Sequence, residues 1–290
     1  YLKKLLNENN EILKSLRINY KDKFSKKLII KLKKIKKICI IGMGGSILGS
    51  KAIYSFLNEK IKKKFIFIDN LNFKIEKRIL KEKKINLIIS KSGNTLETIS
   101  NSNIIINKRD KNIFIVENKN NYLLKFAKEL KAEIIHHNNF IGGRYSVLSE
   151  VGMLPAELMG LKTDDFKQFN SLIKNKKFLN CLVQSVTATL FFIKNKKFNS
   201  VIINYDEKSE NIFKWYQQLV AESLGKKKKG LLPIVSNMPK DNHSVMQLYL
   251  DGFKNNFFTF FYVKDGDSVE LNNKNLLSSH KYLKKKIWQK

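Results

Sequence analysis

Arginine and cysteine are the residues this chain nearly does without. Of its 290 residues 56 are lysine or arginine, yet arginine occurs only at Arg17, Arg78, Arg109 and Arg144. Proteins that grip nucleic acid with guanidinium forks and read base edges draw on arginine. Here lysine is scattered along every segment, with no basic stripe and no interleaved aromatics. The formal charge of +31 is therefore read as a solvated coat, and no nucleic-acid partner is expected. Such a coat still attracts anions in a salt-dependent way. Cysteine is limited to Cys39 and Cys181, far apart and in no CxxC pair. That excludes a disulfide framework and fits a reduced, cytoplasmic protein. No apolar run reaches the ~18 residues that span a bilayer. The start carries no signal-peptide pattern, so no membrane partner is expected. The first residue is Tyr1 and not methionine, which suggests a fragment or a processed product. Histidine is also rare, and no acid or cysteine stands at ligand spacing from it, so no metal site is expected.

What is present is enough apolar residue, 43%, to bury a sizeable core. Residues 1–37 read as helical and lysine-rich. Short apolar runs then recur as strands: Ile38–Ile41, Phe65–Ile68, Ile85–Ile89, Ile113–Val116 and Glu133–His136, with helical stretches between them. Pro155 and Gly160 mark a boundary, and helical segments continue to about residue 195. A second series follows, with Ser200–Asn204, a helix near 209–223, Leu231–Val235, a helix near 242–251 and Phe257–Val263. Residues 270–290 are polar and helical at best. Apolar strands alternating with helices argue for an α/β fold of parallel sheets covered on both faces.

The segment Ser90-Lys-Ser-Gly-Asn-Thr-Leu-Glu-Thr98 carries the most chemistry. It follows a strand and opens a helix, with four hydroxyl side chains around one glycine. Free amides at a helix start, neutral donors and a close-approaching backbone suit a phosphate without a metal. The earlier turn Gly42-Met-Gly-Gly-Ser-Ile-Leu-Gly49 is not a dinucleotide fingerprint, because Ile47 stands where the third glycine belongs. It is not a P-loop either, because Ser50-Lys51 reverses the required order. Alone it is as readily a tight turn without a ligand; beside a second loop of the same kind, a ligand site is favoured. In Ile141-Gly-Gly-Arg-Tyr-Ser146, two glycines free the backbone to aim Arg144. Within the helical stretch Asn211–Gly225, Glu222 falls in the last turn, where the dipole disfavours a carboxylate by ~0.3–1 kcal/mol. That suits a general base, although position alone favours an ordinary solvated glutamate. Gln218 lies four residues earlier on the same face. In Asp241-Asn-His-Ser-Val-Met-Gln-Leu-Tyr-Leu-Asp-Gly252 a helix capped by Asp241 or Asn242 is predicted, with His243 in its first turn. A capping or packing histidine is the plainer reading there.

Taken in order, these segments resemble the glucose-6-phosphate isomerase (phosphoglucose isomerase) family, in its shorter bacterial form, over residues 38–265. The hydroxyl loop alone indicates only a sugar-isomerase (SIS) domain. Gly142-Gly-Arg-Tyr-Ser146 and Glu222-Ser-Leu-Gly-Lys226 are more specific to the isomerase. The resemblance implies two SIS-type αβα sandwiches, 1–160 and 161–290, the second incomplete, with the substrate between them. By the family pattern Ser46, Ser90, Ser92, Thr95 and Thr98 hold the sugar phosphate, with Gly45 and Lys91 in the same loops. Glu222 is the base between C2 and C1, Arg144 steadies the cis-enediolate and Gln218 contacts the sugar. His243 assists ring opening and reaches the site of a partner subunit in a homodimer. Proton transfer beside a carbonyl needs a base and a fixed positive charge, and no metal or redox cofactor.

One departure is expected to matter. The family's catalytic lysine, in a Gly-Val-Glu-x-x-Lys-like context, has no counterpart after Val269-Glu270-Leu271, so a truncated isomerase is expected. The rival reading is a non-catalytic SIS module that binds a phosphosugar, which would not need the set Glu222, Arg144 and His243.

Overall fold

A computed structural model describes residues 4, 8–71, 83–107, 109–264 and 277–283. Its first layer is a sheet of β1 (Lys37–Gly42), β2 (Lys64–Ile68), β3 (Ile85–Ile89), β4 (Lys111–Glu117) and β5 (Glu133–His137). The spatial order is β2-β1-β3-β4-β5, and every neighbouring pair is parallel. Side chains alternate across a strand. Ile38, Ile40, Ile85, Leu87 and Ile89 therefore enter one core, and Cys39, Ile41, Ile88, Phe114 and Val116 enter another. That is why β1 reads as an unbroken apolar run and β3 as one interrupted only by Asn86: both faces are covered.

On the first face lie α2 (Lys26–Leu32), α3 (Leu48–Phe56) and α6 (Glu150–Met159), which contribute Leu28, Ile53, Met153 and Leu154 to the core. On the second lie α4 (Leu96–Ile105) and α5 (Tyr122–Glu129), with Ile105, Leu123 and Ala127. Gly160 ends α6 at φ +88°, a left-handed cap that glycine adopts without strain. Leu161 and Phe166 still pack against this core, and Lys167 meets Asp22 at 2.6 Å.

The chain then runs through α7 (Phe169–Lys174) and α8 (Lys176–Lys194) into a second sheet. Here β6 (Asn199–Asn204) lies between β7 (Leu232–Asn237) and β8 (Asn256–Phe261), all parallel. The helix α9 (Glu210–Leu224) connects β6 to β7 and packs against α3 of the first layer. The expected incomplete second sheet is three strands among the described residues. No residue of α8 is buried, and Leu182, Val183, Val186, Leu190 and Phe191 face outward.

Two expectations need correction. Residues 1–37 are not one helical stretch. Among the described residues Lys4 is helical, and α1 (Glu11–Ser15) and α2 are separated by non-helical chain. Asn10 and Ser25 start these helices by accepting the Ile12 and Leu28 amides, and Tyr20 between them is drawn to Glu150. The helix predicted at Asp241 begins later, as α10 (Met246–Asp251). The Asp241 carboxylate instead takes the Asn237 amide at 2.7 Å and the Ser244 hydroxyl at 3.2 Å, which closes a 3₁₀ turn, Lys240–His243. His243 belongs to that turn, not to the first turn of a helix. The helix expected between β2 and β3, residues 72–82, and Val269-Glu270-Leu271 lie outside the described residues.

Candidate active site

In the order β2-β1-β3 the chain turns to one side of β1 and later returns to the other. The loops after β1 and β3 therefore part at the carboxyl ends of adjacent strands, the crevice where doubly wound sheets hold ligands. The first loop is a 3₁₀ turn, Gly44–Ser46, and it is packed tightly on three sides. A Cβ on Gly45 would sit 2.2 Å from the Gly143 carbonyl carbon, and one on Gly44 would sit 2.8 Å from Gln218 Nε2. Glycine is thus required where the β1 turn, the arginine loop and α9 converge. Ser46 is half-buried in this turn, its amide used by the Met43 carbonyl at 3.1 Å.

The hydroxyl loop is organised to present donors. Thr95 occupies the N-cap position of α4 but does not cap it. Its hydroxyl turns to Ser90 Oγ at 3.1 Å, so the first amides of the helix stay available to an anion. Ser90 Oγ also accepts the Gly93 amide at 3.2 Å, which fixes the turn. Gly93 has φ +64°, a conformation that suits glycine. Ser92 is exposed and Lys91 half-buried along the rim. Thr98 Oγ1 is buried without a hydrogen-bond partner among the described residues. A buried hydroxyl left unpaired costs ~1–3 kcal/mol, and a bound oxyanion would satisfy it.

Packing of α9 on α3 delivers the acid and the amide. Gln218 Nε2 donates to Glu222 Oε1 at 2.8 Å, while Gln218 Oε1 is buried and unpaired among the described residues. Glu222 Oε2 meets Arg144 Nη1 at 3.2 Å, with the carboxylate half-exposed. Arg144 is fixed from three more directions. Its Nε donates to Ser223 Oγ at 3.0 Å, its guanidinium lies 4.6 Å from the Tyr145 ring centre, and its carbonyl accepts from Trp215 Nε1 at 3.4 Å. Tyr145, then Glu222, hold the arginine still more firmly protonated than usual. The Ser223 hydrogen bond and Arg144 hold the Tyr145 phenol below its ordinary range.

The structure thus brings together Gly45, Arg144, Gln218 and Glu222, with Ser46 in the same turn, and gathers Ser90, Lys91, Ser92, Thr95 and Thr98 in the neighbouring loop. His243 stands apart: exposed, in the turn after β7, and not among the groups bonded to Arg144, Glu222 or Gln218. Ser223, Tyr145 and Trp215 were not anticipated as members of the site. Tyr145 and Ser223 lie inside the two specific motifs, and Trp215 is one turn before Gln218 and about two turns before Ser223 on the same helix, which is the signal that could have found them.

Comparison with known proteins bears on the same residues. The family model for phosphoglucose isomerase matches residues 27–233. The chain belongs to the phosphoglucose isomerase family. Among relatives of this family, the glucose-6-phosphate isomerase of Methanocaldococcus jannaschii is 36% identical over 249 residues, covering 78% of this chain and 60% of that one. The glucose-6-phosphate isomerase of Campylobacter jejuni is 32% identical, covering 82% and 63%. The chain therefore spans about three fifths of the length of the curated relatives it matches. A solved structure of glucose-6-phosphate isomerase from Chlamydia trachomatis superposes with TM-score 0.66 at 18% identity, over 89% of this chain and 60% of that one. A tagatose-6-phosphate ketose/aldose isomerase from Escherichia coli superposes with TM-score 0.56 at 13% identity, over 83% and 65%. Together these establish the SIS-type fold expected from the sequence.

Proposed function

We propose that this chain carries an aldose–ketose isomerase activity, interconverting glucose 6-phosphate and fructose 6-phosphate. The observation that carries it is the Glu222–Arg144 pair, 3.2 Å apart and held beside two anion-ready loops. In this reading Ser46, Ser90, Ser92, Thr95 and Thr98 grip the phosphate, with Gly45 and Lys91 in the same loops. Glu222 takes the proton from C2 and returns it at C1, while Arg144 steadies the enediolate oxygens as their charge develops. Gln218 orients the carboxylate through its 2.8 Å bond and offers its free oxygen to a sugar hydroxyl. His243, exposed and outside the hydrogen-bond network of its own chain's site, acts in the site of a second copy, within a cytoplasmic homodimer.

The test supplies fructose 6-phosphate in deuterated water and follows deuterium at C1. Glu222→Gln keeps shape and hydrogen bonding but removes the base. Exchange should fall by roughly 10²–10⁴-fold while phosphate affinity is kept. A wild type that binds the sugar and never exchanges it would return the chain to a phosphosugar-binding module. Exchange that survives in Glu222→Gln would make another residue the base.

A further inference from the structure

His137 ends β5 and Glu150 begins α6, and the loop between them carries Arg144. The two side chains meet at 2.8 Å, His137 Nδ1 to Glu150 Oε1, and are 1% and 0% exposed. His137 Nε2 faces the Ile141 carbonyl at 3.0 Å. A carbonyl can only accept, so Nε2 carries a proton. Glu150 Oε1 also receives the Asn138 amide at 2.9 Å, and Oε2 receives the Tyr20 hydroxyl at 3.4 Å. Independent donors on both oxygens, the Asn138 amide and the Tyr20 hydroxyl, read Glu150 as a carboxylate; a carboxylate only accepts, so the bond within the pair is donated by Nδ1. The geometry is that of an imidazolium–carboxylate pair sealed from water. Burial pushes the Glu150 carboxyl up, but the hydrogen bond from His137, its charge and the Asn138 amide more than offset this and hold it below the usual range.

The other ionisable groups facing the pair do not replace either partner. Tyr20 and Asp22 come from the segment after α1, and Asp22 is tied to Lys167 at 2.6 Å. Glu11 of α1 reaches the site through Asn138 Nδ2 at 2.9 Å. His137 is the cation that Glu150 bonds directly.

A buried ion pair contributes little net stability relative to apolar packing, so its place in the fold matters more than its strength. This one joins the two ends of the arginine loop and holds Ile141, the residue before Gly142-Gly143-Arg144. From its Glu150 end, hydrogen bonds run inward: Ser149 Oγ to the Ser146 carbonyl and Ser146 Oγ to the Gly143 carbonyl, each 2.7 Å. We propose that the His137–Glu150 ion pair is the positioning element for Arg144, setting where its guanidinium meets the developing oxyanion. This rests on the isomerase reading of the same site.

The experiment uses the full chain. The four histidines are His136, His137, His243 and His280, so ring nitrogen-15 spectra are simple, and His137→Gln assigns the relevant ring. In wild type both nitrogens of the His137 ring should show an attached proton, as its bonds to Glu150 and to the Ile141 carbonyl require. Two probes then divide the site: inorganic phosphate reports the hydroxyl loop, and a phosphorylated five-carbon aldonate, whose carboxylate imitates the enediolate, reports Arg144. In Glu150→Gln and His137→Gln the aldonate should bind about 10- to 100-fold more weakly, as a displacement near 1 Å produces, while phosphate binding changes less than about twofold. If a variant does not fold, wild type decides. Aldonate affinity should fall together with loss of the second ring proton, and constant affinity across that loss overturns the proposal. A neutral ring at neutral pH, or unchanged aldonate affinity in the folded variants, overturns it too. A wild type that binds phosphate with no preference for the aldonate overturns the isomerase reading and the positioning role with it, while the ring spectrum would still report the ion pair.

Discussion

The strand triplets β2-β1-β3 and β7-β6-β8 have the same order and direction, yet they are furnished for opposite work. Each places a crevice at the carboxyl end of its first strand. In the first sheet that crevice opens on glycines, hydroxyls and uncapped amides. In the second, the loop after β6 closes on itself. Asn204 Nδ2 donates to the Asp206 carbonyl at 2.8 Å, the Asp206 amide returns to Asn204 Oδ1 at 3.0 Å, and Ser209 bonds the Asp206 carboxylate. An acid already occupies the place where an anion would sit. The second half contributes a helix instead, and α9 crosses to the first half with Gln218, Glu222 and Ser223. Topology creates the crevice; side chains decide whether it offers free donors, as in the first sheet, or closes on its own acid, as in the second.

The largest effect that would break this division is loss of the hydroxyls. Ser90→Ala combined with Thr95→Val should cost fructose 6-phosphate affinity on the order of 2–5 kcal/mol by titration, since two bonds to a charged phosphate go. The mirror change, Ser209→Ala in the second crevice, should leave that affinity within about twofold. Equal losses from both would mean that the second crevice also binds the sugar. A smaller effect is expected at the junction. Gly45→Ala drives a methyl into the Gly143 backbone, so the turn and the arginine loop must separate. Denaturant unfolding should show a loss of roughly 1–3 kcal/mol, with weaker sugar binding. The smallest effect is chemical. Burial pushes the Cys39 thiol up to about 12, whereas Cys181 lies exposed on α8. A thiol reagent should label Cys181 in the folded protein and leave Cys39 untouched. Protection of Cys181 would show that something covers α8.

Much of this was legible in the residues, for definite reasons. The strands of both sheets announced themselves as short apolar runs, in the first sheet because buried parallel strands need apolar side chains on both faces. The hydroxyl loop was legible because its donors sit within nine consecutive residues. What escaped was whatever depends on partners distant in sequence. Asp241 looks like a helix cap until the Asn237 amide claims it. Tyr20 interrupts an otherwise helical stretch because Glu150 and Lys167 lie across from it, the lysine 5.0 Å from its ring centre. His137 next to His136 suggested nothing, because its partner lies thirteen residues on, beyond the loop it holds. Ser223 is an unremarked hydroxyl in a helix until Arg144 arrives from the other half.

The strand β8 lies at the edge of its sheet among the described residues, and Phe258 and Phe260 stand exposed on it. An aromatic strand with a free ladder invites copies of itself to stack. The diffuse lysine excess opposes this, since molecules of +31 formal charge repel one another before their edges touch. That repulsion reaches only about 10 Å at 0.1 M salt. The lysine coat therefore acts as a colloidal brake, and ionic strength sets how far two such edges are kept apart.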